Sequence, residues 1–118
     1  MRFVLIAVIL LTGASNANET FECQSGRSWD NEGKTLVTAS IFGETGGATI
    51  EVAGIVHLAV YRVTGFNRRW DFGEASNQRY EYAFIIKPDG DATYYDFSNS
   101  DVARDKFPTQ FFFCKQTN

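Results

Sequence analysis

The amino-acid sequence predicts an all-β fold, a small antiparallel β-barrel closed by one disulfide between its two ends. Three observations point there. Runs rich in β-branched and aromatic residues recur between Gly, Pro and Asn/Asp clusters, at spacings of roughly 8–12 residues. No stretch carries the helical apolar period for more than about two turns. The cysteines Cys23 and Cys114 sit near opposite ends of the chain. Pairing them brings the first and last strands together, which closes the sheet and removes its exposed edges.

The elements follow in order. Residues 1–17 read as a secretory signal peptide. Arg2 supplies a positive start, Phe3 to Leu11 is an unbroken run of nine apolar residues, and Ser15 and Ala17 are the small residues of a cleavage site after Ala17. The run is too short to span a bilayer, which needs about 20 residues. No Cys stands at the cleavage point to take a lipid anchor. Residues 18–118 form a single domain with no internal repeat or linker. Thr35 to Phe42 is β-branched and ends at Gly43. Ala48 to Ala53 alternates, with Ala48, Ile50 and Val52 on one face and Thr49 and Glu51 on the other. Gly54 marks a bulge or tight bend. Ile55 to Val63 is strongly β-prone, and Gly65-Phe66-Asn67 ends it. Tyr80 to Ile86 and Ala92 to Phe97 flank Pro88-Asp89-Gly90, where proline presets φ for a turn and glycine tolerates positive φ, so these two runs form a β-hairpin. Asn99 to Lys106 has room for one helical turn, capped by Ser100 or Asp101. Phe111 to Cys114 is a short final strand.

Charge and cysteine content bound the function. Loss of the signal peptide removes Arg2 alone among the charged residues. Ten basic and fourteen acidic residues remain, and the net charge moves from −3 to −4. Nucleic acid calls for a concentrated basic patch. Here the only adjacent basic pair, Arg68-Arg69, is flanked by Asp71 and Glu74. Export, to the periplasm or beyond the cell, places Cys23 and Cys114 in an oxidising compartment where they pair. A bridge closing about 91 residues is worth about 4–5 kcal/mol in the chain-entropy account. Two cysteines and His57 supply at most three ligands without a close Cys-x-x-Cys pair, so no metal or other cofactor is expected.

Few residues offer chemistry. His57 is the single histidine, placed mid-strand on the face of Ile55, Ala59, Tyr61 and Val63. It reads as an edge or partly buried strand residue rather than a general base, and no Gly-x-Ser-x-Gly elbow is present. Asp89, Asp91 and Asp96 gather around the hairpin. A calcium loop begun at Asp89 would put Ser100 where the closing glutamate belongs, so ordinary turn chemistry is expected. The distinctive segment is Asn67-Arg-Arg-Trp-Asp-Phe-Gly73. Arg68, Arg69 and Trp70 are residue types that dominate binding hot spots. They are read here as part of a loop from Asn67 to Tyr80 that serves as the binding surface. The other reading places Trp70 in the core and leaves the arginines solvated.

Ala75-Ser-Asn-Gln-Arg-Tyr80, followed by Gly90-Asp-Ala-Thr-Tyr94, resembles the periplasmic C-type lysozyme inhibitors, small bacterial β-barrels made with a signal peptide. Phe21-Glu-Cys23 and Cys114 match that family's aromatic-x-Cys start and terminal Cys. Ser76 and Tyr80 keep the spacing of its Ser-Gly-x-x-Tyr loop. The chain departs where Asn77 replaces the loop glycine, where one residue is missing between Asp91 and Ala92, and over Tyr61 to Gly73. The resemblance implies that Ser76 and Tyr80 lie on a loop entering a lysozyme cleft. The serine hydroxyl would there hydrogen-bond a catalytic carboxylate, and the acidic surface would steer a basic partner.

These readings converge on an exported binding protein of the cell envelope, acting on a protein partner such as a lysozyme and not by catalysis. The binding candidates are Arg68, Arg69, Trp70, Ser76 and Tyr80. The alternative is a lipocalin-like meander that holds a small apolar ligand between Tyr80, Tyr82, Phe84, Tyr95 and Phe97. A small hydrolase is the third class.

Overall fold

The computed structural model describes residues 18–26, 35–74, 79–98 and 108–118. The expected signal peptide, Ser76 and the expected turn over 99–106 lie outside the described residues. Eight antiparallel strands follow one another around a closed barrel: β1 (Glu19–Gln24), β2 (Leu36–Phe42), β3 (Gly47–Val52), β4 (Ile55–Thr64), β5 (Asn67–Phe72), β6 (Tyr82–Ile86), β7 (Asp91–Asp96) and β8 (Gln110–Gln116). Each strand pairs with its neighbour in sequence, and β8 returns to β1. Every strand is therefore internal, and no row of backbone donors and acceptors is left at an edge. The expected all-β barrel is the fold observed.

The disulfide lies on the closing seam. Cys23 and Cys114 stand directly opposite each other in the β1–β8 register and are bridged. Gly90 ties the same seam to the hairpin turn, its carbonyl accepting from Cys114 N–H at 2.8 Å. That turn has the predicted chemistry. Gly90 N–H bonds the Lys87 carbonyl at 3.0 Å, Pro88 and Asp89 take the two central positions, and Gly90 has φ +96°. The β3–β4 turn at Ala53-Gly54 has positive φ at both residues, +50° and +86°, the pattern of a type I′ hairpin.

The period-2 alternation decides what fills the barrel. Val37 and Ala39 of β2, Ala48 and Ile50 of β3, Trp70 and Phe72 of β5, Phe84 and Ile86 of β6, Ala92 of β7 and Phe112 of β8 all point inward and are buried. Phe21 stands opposite Ala39, Phe72 opposite Ala59 and Phe112 opposite Ala92, while Trp70 lies in register between Tyr61 and Phe84. Trp70 is central and fully buried, edge-on to Phe21 at 5.9 Å and to Tyr61 at 5.1 Å, and Phe84 meets Phe112 edge-on at 5.5 Å. The indole N–H donates to the Ser40 carbonyl at 3.1 Å, so its one polar group is satisfied inside the barrel.

Two expectations change here. Asn67–Phe72 is a strand in the barrel wall and not part of a loop, because it continues the β4 hairpin through the turn at Gly65-Phe66. The residues expected to line an apolar cavity do not share a face. Phe84 pairs with Tyr94, and Ala83 with Tyr95. Tyr82 and Phe84 therefore point in, while Tyr95 points out and joins Phe97, Ala83 and Ile85 in a second apolar cluster outside the wall.

Candidate functional site

Adjacent residues of a strand point to opposite faces, and this alone divides the expected binding residues. On β5, Arg68 and Trp70 face inward and Arg69 faces outward. Trp70 is 0% exposed and offers nothing to a partner. Arg69 lies along the outer wall, where its Nε donates to Asp71 Oδ1 at 2.9 Å, and both side chains are nearly covered. Arg62 reaches the other oxygen of the same carboxylate at 3.3 Å. Tyr80 is half-buried just before β6. Ser76 lies outside the described residues. Arg68, Arg69, Trp70 and Tyr80 thus form no single surface.

Arg68 stands at the mouth of the barrel, at the end that carries the β4–β5 and β6–β7 turns. Its guanidinium lies 4.9 Å from the centre of the Phe21 ring, pairs with Glu19 Oε1 at 3.0 Å, and donates to the Tyr61 hydroxyl at 3.2 Å. Around it opens a cleft of about 330 Å³, lined by Phe21, Phe66, Arg68, Ile86, Lys87 and Gln116 among others. Phe66 is 89% exposed at the rim. The turn explains its position. Gly65 has φ +65° and Phe66 does not adopt positive φ, the pattern of a type II′ hairpin. A two-residue turn has no room to fold its second side chain back onto the barrel. The cleft thus sets an exposed aromatic and the Lys87 ammonium beside the Arg68 guanidinium, which Glu19 pairs, and the Asp89 carboxylate.

The far end of the interior is aromatic. His57, half-buried on the inner face of β4, lies against Phe72 with ring centres 5.3 Å apart and planes tilted by 42°. Of the two placements expected for it, edge or partly buried, the second is the one observed, since the barrel has no edge strand. Phe72 meets Tyr82 at 5.2 Å, and Tyr82 stacks on Tyr94 at 6.1 Å. Burial, then the negative charge of Asp96, then Tyr82, push the Tyr94 phenol up to about 12. A phenol held that high remains a hydrogen-bond donor at neutral pH and does not act as a base. Among the described residues no three His, Cys, Asp or Glu side chains gather in a way that could hold a metal ion. No helix among them is long and apolar enough to cross a membrane.

Sequence reasoning passed over Phe66 and Lys87. The signal for Phe66 was present, a large apolar residue directly after the glycine of a two-residue turn. Lys87 carried no signal, because only the folded barrel brings its turn beside β1, β5 and β8. Comparison with models of known protein families, with characterised proteins and with solved structures finds no match to this chain.

Proposed function

We propose that this chain is an exported β-barrel that works by binding a protein at its outer surface, with inhibition of a basic C-type lysozyme as the specific form. The observation that carries the binding reading is the filled interior. Trp70, Phe72 and Phe84 occupy the barrel at 0–2% exposure, while Phe66 stands 89% exposed at its mouth. A packed barrel leaves the wall and the two ends as its means of recognition. With every strand paired on both sides, a partner has no edge to extend and must dock against a face or an end. The disulfide is compatible with an oxidising, exported location. The lysozyme form is supported by the spacing of Ser76 and Tyr80 and by the acidic charge, which favours encounter with a basic protein.

The test is a titration of the chain from Asn18 onward against a panel of C-type lysozymes, following cell-wall hydrolysis. The expected result is saturable inhibition, relieved by Ser76→Ala with an unchanged circular dichroism spectrum. Arg69→Ala should leave inhibition intact, because Arg69 is engaged with Asp71. Absence of inhibition across the panel refutes the lysozyme form. Loss on Phe66→Ser but not on Ser76→Ala moves the docking surface to the turn end.

The cleft supports a second reading, a small amphipathic anion held by Phe21, Phe66 and Ile86 with Arg68 and Lys87 at its acid group. Saturable displacement of an anionic apolar fluorescent probe, lost in Lys87→Glu and Phe66→Ser, would favour it over a protein partner.

A further inference from the structure

The most anomalous surface of the barrel is not the cleft but the outer face of β4. Val56, Leu58 and Val60 alternate with the inward-facing His57, Ala59 and Tyr61, and they are 61%, 85% and 48% exposed in the middle of a ten-residue strand. Single exposed apolar residues are ordinary, but three in line at mid-strand make a stripe. The cleft opens on the inner side at the turn end, so the two surfaces are separate.

The stripe is bounded by opposite charges. At the Val56 end, Glu51 of β3 stands directly beside it in the register and is exposed. At the Val60 end stands Arg62, its side chain 57% exposed. Arg62 shares the single carboxylate of Asp71 with Arg69, so that carboxylate answers two guanidinium groups. Glu51 makes no ion pair among the described residues. The face is therefore apolar at its centre, negative at one end and positive at the other.

We infer that the outer face of β4 is a self-association surface, on which a second copy of this chain packs antiparallel with Leu58 and Val60 about the centre and Arg62 of each copy against Glu51 of the other. A two-fold axis near Ala59 sets Leu58 of one copy against Val60 of the other. It also sets Val56 against the aliphatic stem of Arg62. Arg62 lies six residues, about 20 Å, along the strand from Val56, and beside Val56 stands Glu51. Both ends of the stripe thus meet their opposite charge at once, as an isologous interface requires. A parallel arrangement would set arginine against arginine. Packing is face to face, at the roughly 10 Å separation and −30° angle of aligned sheets, since a closed barrel admits no strand addition.

The test uses the oxidised chain from Asn18 onward in sedimentation velocity across the micromolar range. A concentration-dependent dimer is expected. Leu58→Asp should be monomeric while keeping the wild-type circular dichroism spectrum and melting temperature, since Leu58 supports no interior packing. Leu58→Ser guards against any effect of the new charge on folding. Glu51→Arg should weaken the dimer at least about tenfold, and Glu51→Arg combined with Arg62→Glu should recover it. A wild-type chain that stays monomeric throughout overturns the inference. So does a Leu58→Asp or Glu51→Arg variant that dimerises as tightly as wild type. A monomer that nevertheless binds an apolar probe on this face assigns the stripe to a different occupant and equally overturns it.

Discussion

Gly90 joins the β6–β7 turn to the disulfide seam, and replacing it by alanine carries two separable costs. The first is conformational. Gly90 has φ +96°, where an L-residue is disfavoured by about 1–2 kcal/mol, partly offset by the roughly 0.4–1 kcal/mol that alanine removes from the entropy of the unfolded chain. The second is steric. A Cβ there would stand 2.7 Å from the Cys114 carbonyl oxygen and 3.0 Å from the Phe113 ring. The carbonyl belongs to β8, which hydrogen bonds and the disulfide hold in place, so it yields little. Overpacking of that kind adds about 1–3 kcal/mol, for a total of about 1–5 kcal/mol. Gly54 isolates the first cost. Its φ is +86°, and a Cβ there would meet nothing within 4 Å. Gly54→Ala is therefore expected to cost only about 1 kcal/mol. In urea unfolding followed by far-ultraviolet circular dichroism, Gly90→Ala should show the lower midpoint with an unchanged slope. In thermal unfolding it should melt about 5–20 °C below Gly54→Ala. Equal losses for the two variants would refute the steric argument, and no loss at Gly90 would refute the turn itself.

Three further outcomes follow from the packing. Replacing Cys23 and Cys114 by alanine should lower stability by about 2–5 kcal/mol, and a thiol assay on the native protein should find both cysteines oxidised. Trp70→Ala should cost about 3–5 kcal/mol, read from denaturant unfolding. Trp70→Phe should still cost about 1 kcal/mol, because the half-buried Ser40 carbonyl loses the indole N–H. Tyr94 should give an alkaline signature. Its folded-state value of about 12 lies above the ordinary phenol value of 10.0. The unfolded chain therefore releases this proton first, and stability, full below pH 10, should fall between about 10 and 12. Tyr94→Phe should reduce that decline and remove a phenolate that appears near pH 12 in an absorbance titration. An alkaline decline identical in the two proteins would refute the placement of Tyr94.

Turn chemistry and alternation were legible along the chain. Pro88-Asp89-Gly90 specifies its hairpin locally, because proline presets φ and glycine admits positive φ. Ala48, Ile50 and Val52 announce an inward face by contrast with Thr49 and Glu51. β4 gave no such contrast. Val56, Leu58 and Val60 are as apolar as His57, Ala59 and Tyr61, so periodicity could not say which set is inside. The same limit applied to Asn67–Phe72, where arginines beside a tryptophan read either as a binding loop or as a core Trp70 between solvated arginines, and the structure buries Trp70.

Composition, cysteine placement and turn residues are properties of the chain itself, and they were enough to set the all-β class, the single bridge and most strand boundaries. The assignment of each side chain to inside, wall or mouth belongs to register, and register is a relation between strands distant in sequence. A shift of one residue in the pairing of β6 with β7 would have turned Tyr95 inward and Tyr94 out. Closure around eight strands then decided that Trp70 fills the core, that Arg68 meets Phe21 and Glu19 from β1, and that Lys87 borders the same cleft. These contacts exist only because the first and last strands meet, which no local stretch of sequence can specify.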